Sequence, residues 1–472
     1  MGRVTRRAFL EESLLAAAAV AAPAHAADPV RSRSANERLR VAVLGVKGQG
    51  RVHVTKWASM PDAEVAVVCD PDAGVVGEAL RVAEQKSGKK PRYEKDLRKV
   101  FEDKSIDVVS IATPNHWHCL AGIWAVQAGK DVYVEKPLGH NVREQHRLVE
   151  AARKHQRLVQ MGNYPRSLGH VRAGIDFLRS GKMGRVLLAR GICYNRRDSI
   201  GRKPDAAPPE GVDYNLWLGP AAERPFNPNR FHYNWHWNWD FGGGEIANNG
   251  IYQLDTARWG LGKDTLPSKV VSIGGRLGYE DDGTTPNTQI AVFEWDDAKI
   301  VQEIRGLPSE KFKEVAMGTI FHCEKGYVAF NISGTQAFTE MGESIQKFAG
   351  GGDHFRNFAD AVRARQREAL NSDVQEGHLS SSLCHLANVS YRIGTMKPRA
   401  AFVGYAGDAL GEASERMFRH LAENGLKDAQ IELRVGRPVA IDPGTLRLPE
   451  DPTADALLGR EYRKPFALPD AV

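Results

Sequence analysis

Between positions 45 and 50 the chain reads Gly45-Val46-Lys47-Gly48-Gln49-Gly50, directly after the apolar run Leu39–Leu44. Glycines in such a strand-to-helix turn let backbone approach a pyrophosphate, which then rests on the N–H groups of the helix N-terminus. A dinucleotide fingerprint has glycine at its first, third and sixth places. Here Lys47 holds the third place and Gly48 stands one residue late. In this reading Gly48 does the middle glycine's work, and Lys47 or Arg51 brings charge to the phosphates. The bland alternative is a plain strand–helix turn. Asp70 ends the next apolar run, Val65–Cys69, twenty residues past Gly50. A carboxylate there accepts from a ribose 2′-OH and repels a 2′-phosphate, which favours NAD over NADP. Asp72 offers the same chemistry, and an aspartate in a turn at Pro71 is the plain alternative. Glu135 and Lys136 then stand together before Pro137. A half-desolvated lysine beside a cationic nicotinamide titrates low, so it can give a proton to, or take one from, a substrate hydroxyl.

His232-Tyr233-Asn234-Trp235-His236-Trp237-Asn238-Trp239-Asp240 alternates aromatic with polar residues. Indole faces stack on sugar C–H faces while His, Asn and Asp bind hydroxyls, so Trp235 and His236 are candidate substrate contacts. A β-strand with one aromatic core face explains the pattern equally well. His232 and His236 lack the carboxylate or cysteine spacing of a metal site, and no metal is expected.

These residues need elements to hold them. Short apolar runs at Leu39–Leu44, Val65–Cys69, Val108–Ala112, Asp131–Val134 and Arg157–Met161 alternate with helical patterns such as Leu120–Ala128 and Val142–His155. That rhythm predicts a doubly wound parallel sheet with its site at the carboxyl ends of the strands. Beyond Met161 the rhythm changes. A helix at His170–Arg179 leads into strand-like Val186–Tyr194, and Val270–Ile273, Gln289–Glu294 and Val328–Asn331 follow without long intervening helices. This predicts a second, mostly antiparallel sheet, with helices Asp353–Arg365 and His378–Tyr391 packing back on it. His378 is read as structural.

With 472 residues, 42% hydrophobic and 26% charged, the composition is that of an ordinary globular chain. The net charge of +6 is spread among acids, which argues against a nucleic-acid partner. Five cysteines without C-x-x-C spacing argue against a disulfide framework or a zinc knuckle. The first 26 residues combine a basic start, the small-residue run Leu14–Ala22 and an Ala24-His25-Ala26 cleavage site, the pattern of a secretory signal peptide. Thr5-Arg6-Arg7-Ala8-Phe9-Leu10 adds a twin-arginine signature, so the Tat machinery is an expected partner and the location periplasmic or extracellular. No membrane span is expected in the mature form. Tat exports folded proteins, which allows a tightly held cofactor to leave with the chain and lets the thiols stay unpaired.

The succession Ala42-Val43-Leu44-Gly45, Cys69-Asp70, Ala112-Thr113-Pro114-Asn115-His116, Glu135-Lys136-Pro137 and Gly181-Lys182-Met183-Gly184 resembles the Gfo/Idh/MocA oxidoreductase family over about residues 39 to 400. The tail through Arg460-Glu461-Tyr462 is similar to bacterial secreted members. The resemblance implies an α/β chain: a signal peptide over 1–26, a linker over 27–38, an N-terminal Rossmann domain over 39–162, a C-terminal α/β domain with an open, mostly antiparallel sheet over 163–402, and a tail over 403–472 that wraps the domains. It also implies a nicotinamide cofactor, hydride transfer at a secondary alcohol of a sugar or cyclitol, and a homo-oligomer formed through the C-terminal sheet. Thr113, Pro114, Asn115 and His116 would line the nicotinamide ribose, Lys136 would bridge substrate and cofactor, and Glu135 would brace the site. Asn163 and Arg166 would be nicotinamide-side or substrate contacts.

The family pattern G-G-G-x-x-x-D-x-G-x-H-x-x-D falls on Gly242 to Asp255, where the aspartate place is Asn248 and the histidine place is Tyr252. Spaced i, i+4, the two share one helix face and can point at one substrate. Asn248 can orient a hydroxyl but is no base. Tyr252 can serve as acid or base if Lys136 and the cofactor charge lower its pKa. The glucose–fructose oxidoreductase branch of the family also carries tyrosine here. Lys136, Tyr252 or both are therefore candidate bases. Two rivals stand beside the oxidoreductase: a redox-neutral, NAD-dependent glycosidase on the same fold, and a sugar-binding protein with a vestigial site.

Overall fold

The computed structural model describes residues 38–400, 409–428, 431–469 and 472. The expected signal peptide with Arg6 and Arg7, and the linker as far as residue 37, lie outside the described residues.

Six parallel strands form the first sheet: β1 (Leu39–Leu44), β2 (Ala63–Cys69), β3 (Arg92–Glu94), β4 (Val108–Ile111), β5 (Asp131–Val134) and β6 (Val159–Met161), in the order β3-β2-β1-β4-β5-β6. The β-branched runs of β1, β4 and β5 are buried on both faces, as a parallel sheet between helix layers requires. Leu44 pairs with both Cys69 and Ile111, which brings the ends of β1, β2 and β4 level. The strand order reverses between β1 and β4, and there a crevice opens beyond the carboxyl ends. β3 was not expected, because its three residues carry no apolar run.

The second sheet has ten strands: β7 (Val186–Tyr194), β8 (Lys269–Gly275), β9 (Thr288–Trp295), β10 (Ala298–Arg305), β11 (Met317–Cys323), β12 (Gly326–Asn331), β13 (Gly334–Phe338), β14 (Ser344–Phe348), β15 (Thr395–Pro398) and β16 (Glu432–Val435). Their order is β14-β13-β12-β11-β7-β10-β9-β8-β16-β15, and only the β7–β10 pair is parallel. Alternation along β10 divides two cores. Ile300 and Ile304 face Ile251 and Leu254 of helix Gly250–Gly260, whereas Val301 joins the cluster of Met417, Phe418 and Leu421 from helix Ala409–Glu423.

Two placements differ from the sequence expectation. Helix His354–Ala364 does not pack on the second sheet; Phe355 and Phe358 join Val41, Trp57, Val108 and Tyr133 in the core of the first. The segment after residue 403 does more than wrap the surface. It lays a helix on the second sheet and threads β16 into it, and farther on Tyr462 donates to Glu144 of helix Val142–Lys154 (2.8 Å). All five cysteines are buried and free. Among the described residues no helix is long and apolar enough to cross a membrane.

Candidate active site

A cavity of about 520 Å³ lies at the carboxyl ends of the first sheet and is walled on its other side by residues of the second domain. The glycine loop forms its floor. Gly45 has φ +77°, and a Cβ there would sit 2.8 Å from the carbonyl of Ala112. A Cβ on Gly50 would come within 1.7 Å of the Gly45 carbonyl, so this glycine serves helix–strand packing and not the cavity wall. Above Gly48 there is open space, as expected of the residue that replaces the middle glycine.

Asp70 holds this floor. Its two carboxylate oxygens accept the N–H groups of Val46 (2.8 Å) and Asp72 (3.0 Å). Burial pushes the carboxyl up to about 6, although those two N–H groups and Lys47 favour the charged form. Lys47, Arg51, Asp70, Thr113, Pro114 and Asn115 all line the cavity. Thr113 Oγ1 is buried and without a partner. Of the first N–H groups of helix Gln49–Ala58, that of Arg51 bonds the Gly48 carbonyl (3.1 Å), while those of Gln49 and Gly50 precede any intrahelical acceptor. A helix start with N–H groups left over, an unpaired hydroxyl and space over Gly48 fit a dinucleotide, with Gly45, Lys47, Gly48, Arg51, Asp70 and Thr113 as the residues that would hold it.

At the end of β5, Glu135 and Lys136 enter the same cavity. Burial alone would raise the Glu135 carboxyl, but the hydrogen bond and charge of His53, together with Lys136, hold it below its ordinary value. Burial draws the Lys136 amine down, opposed by the charges of Glu135 and Glu245. Lys136 Nζ donates to the Asn248 carbonyl (2.6 Å) and to Asn248 Oδ1 (3.2 Å). That carbonyl is available because the helix breaks. Gly244–Asn248 ends there, a second helix starts at Gly250, and the Tyr252 N–H bonds Asn249 O (3.1 Å) instead of Asn248 O. Asn248 and Tyr252 thus line one cavity without sharing one continuous helix.

Lys136 does not lower the Tyr252 hydroxyl as expected. Its Nζ lies 5.3 Å from the centre of the Tyr252 ring, over the face. Burial, reinforced by Glu135 and Tyr164, pushes that hydroxyl well above its ordinary value.

The aromatic strip is not a strand. Asn234–Trp237 forms a 3₁₀ turn that brings His232, Tyr233, Trp235 and His236 into the cavity wall. The rings of Trp235 and His236 stack at 3.6 Å. Burial pushes His236 down to about 3, so it is neutral. Its Nδ1–H donates to the Tyr233 carbonyl (2.6 Å), which leaves Nε2 as an acceptor.

Besides Gly50, three expected residues fall outside the wall. His116 packs on Trp217 and Phe241, and its Nε2 bonds the Trp217 carbonyl (3.0 Å). The helix begins at Asn115, so Asn115 and His118 share the cavity face and position 116 is turned away. Arg166 is locked by Asp255 (2.8 and 2.9 Å) and Glu376 (2.8 Å). Asn163, just past the edge strand β6, is fully buried with neither amide atom paired and does not reach the cavity. His118 and Asn249 were missed. Counting i, i+3 from the true start of the helix finds the first; nothing local marks the second. Among the described residues no group of three or more His, Cys, Asp or Glu is arranged to hold a metal ion.

Residues 39–163 match the model of an oxidoreductase family, NAD-binding Rossmann fold, and residues 199–401 match that family's C-terminal alpha/beta domain. The levoglucosan dehydrogenase of Pseudarthrobacter phenanthrenivorans is 25% identical over 322 residues, 64% of this chain and 72% of that protein. The alpha-N-acetylgalactosaminidase of Shewanella oneidensis is 29% identical over 158 residues, 32% of this chain and 34% of that protein. The first curated relatives, glycosyl hydrolase family 109 proteins, are spanned over only 35% and 45% of their length. Among solved structures, the WlbA dehydrogenase from Bordetella pertussis, determined with NADH and UDP-GlcNAcA, superposes with a TM-score of 0.54 at 19% identity. That superposition covers 74% of this chain and 94% of the other, a likeness of fold.

Proposed function

The chain belongs to the Gfo/Idh/MocA oxidoreductase family, and we propose that it oxidises or reduces a secondary hydroxyl of a sugar or sugar derivative with NAD. One observation carries this reading: Lys136, its amine drawn down by burial, shares a cavity with a dinucleotide-type glycine loop on one side and a sugar-type aromatic rim on the other. NAD bound over the glycine loop supplies the hydride acceptor. Lys136 takes the hydroxyl proton. The Asn248 carbonyl and amide hold the ammonium and the substrate in register. Tyr252, protonated through neutral pH, gives or receives a hydrogen bond without ionising. Trp235 offers an apolar face and His236 Nε2 an acceptor. Asp70 gives the preference for NAD. The reading includes export through Tat with the cofactor bound.

Incubating the purified full chain with NAD and a panel of free sugars, and identifying released nucleotide by mass, tests the reading. It requires reduced nicotinamide to form with at least one sugar. A chain that binds no nicotinamide nucleotide overturns it.

A second reading is favoured by the glycosyl hydrolase names among the relatives. In a redox-neutral glycosidase the same residues serve transient oxidation, elimination of the aglycone, addition of water and return to the starting oxidation level. Release from aryl glycosides without net reduced nicotinamide selects it over the first.

A further inference from the structure

Behind Lys136 runs a line of buried side chains that the chemistry above leaves unused. Glu135 Oε1 accepts from His53 Nε2 (3.0 Å) and Gln49 Nε2 (3.1 Å), and Oε2 accepts the backbone N–H of Lys136 (3.1 Å). On its other side His53 Nδ1 meets Ser110 Oγ (2.9 Å), and Ser110 Oγ also accepts the Trp57 indole N–H (2.9 Å). An ionised carboxylate only accepts, so His53 Nε2 carries a proton and donates it to Glu135. Ser110 Oγ, with a second lone pair and its own proton, partners Nδ1 on the far side of the ring. His53 and Ser110 are wholly buried, and Tyr133 and Phe355 meet the imidazole edge-on at 5.3 and 5.0 Å.

Gln49, His53 and Trp57 follow at i, i+4 and i+8 along one face of helix Gln49–Ala58. The N-terminus of that helix belongs to the nucleotide floor. One helix therefore serves both the nucleotide and the carboxylate beside the lysine.

We propose that His53 is a positioning residue which, backed by Ser110 and Trp57, keeps Glu135 ionised beside Lys136 and thereby sets the protonation of that lysine. The inference rests on the reading of Lys136 as the group that handles the proton. A carboxyl this deeply buried takes up a proton when its donors are removed. Lys136 then loses its largest electrostatic support, since of the charges around it Glu135 outweighs Glu245 in favouring the ammonium, with Arg197 opposing. His118, His236 and Tyr252 line the cavity around the same amine. On the carboxylate side, Lys136 and His53 favour the ion, and Tyr133, His354, His118 and Tyr252 are further titratable groups that feel its charge.

The test needs no turnover. Acetic anhydride is applied to the full chain across a pH series, and acetylation of Lys136 is quantified by peptide mass spectrometry against exposed Lys86. His53→Leu removes the donor, with His53→Met as the second apolar variant if leucine does not fold. His53→Gln keeps an N–H toward Glu135. The expected result is a Lys136 midpoint lowered by about one pH unit in the apolar variants, roughly tenfold in reactivity below the midpoint, and restored by glutamine. An unchanged midpoint in the apolar variants overturns the proposal. So does an equal shift in all variants, which would mark packing alone. A chain that shows the shift but oxidises no sugar refutes the functional reading and leaves this one standing.

Discussion

Lys136 Nζ donates to the main-chain carbonyl of Asn248 across the cleft between the two domains, at 2.6 Å. The lysine ends a strand of the first sheet, while the carbonyl ends a short helix of the second domain, where it has no intrahelical partner. A helix C-terminus stabilises a cation, so the bond holds the amine at the cavity wall until a substrate hydroxyl competes for it. Lys136→Met is expected to lower kcat by about 10²- to 10⁴-fold, the usual worth of a positioned acid–base group. The affinity for NADH, followed by nucleotide fluorescence, is expected to stay within a few-fold.

Tyr252 behaves differently. Its hydroxyl is pushed well above the ordinary tyrosine value, first by burial and then by Glu135 and Tyr164. In the proposed reading it stays protonated and leaves the proton transfer to Lys136. Tyr252→Phe is therefore expected to cost about tenfold in kcat, the worth of one hydrogen bond, and to leave the pH–rate profile in place. Disappearance of a titrating limb in the phenylalanine variant would assign the base to Tyr252.

In the proposed reading Asp70 links nucleotide binding to pH. Its carboxyl titrates at about 6 in the fold, because burial outweighs the N–H bonds from Val46 and Asp72. An acid raised above its unfolded value of about 3.9 contributes stability below that value and loses it as pH rises through the folded one. The window is therefore about pH 4 to 6, and the loss is at most about 3 kcal/mol. Ribose hydroxyls donating to the ion offset that loss, so NAD is expected to stabilise the fold more at pH 7.5 than at pH 5. Urea midpoints with and without NAD measure this. In Asp70→Asn the difference between the two pH values should shrink, and NAD should bind more weakly.

Much of the first sheet was legible because β-branched runs buried on both faces leave a contiguous signal, and Leu39–Leu44 and Asp131–Val134 form strands with those bounds. The β3 strand left no such signal. The glycine loop, Asp70 and Glu135-Lys136 were legible for a related reason: each sits at a strand end, where position along the chain determines position in space. The second domain was less open to this logic. Asn248 and Tyr252 read as one helix face, but the helix is interrupted at Asn249, whose side chain is taken by Glu245 (2.6 Å), itself bound to Arg197 (3.0 Å). The family resemblance put Arg166 among the nicotinamide-side or substrate contacts, whereas the acceptors that hold it, Asp255 and Glu376, are distant in sequence. Pairings of that separation leave no local pattern.

Those distant acceptors make the last prediction. Asp255 is wholly buried and takes Arg166 at 2.8 and 2.9 Å as well as the Ser380 hydroxyl at 2.5 Å. Arg258 lies 3.9 Å away, its guanidinium already disfavoured by burial and by the neighbouring Arg166 charge. Asp255→Asn leaves two buried cations to share Glu376, whose side chain is 35% exposed. Uncompensated buried charge of this kind costs about 3–5 kcal/mol. The expected result is a loss of that size in unfolding free energy by urea titration. Asp198→Asn, which breaks an exposed pair with Arg196, should stay within about 0.5 kcal/mol of the parent. Equal effects from the two substitutions would mean that the cluster around Asp255 is hydrated, and that the helix carrying Tyr252 is held by its apolar face alone.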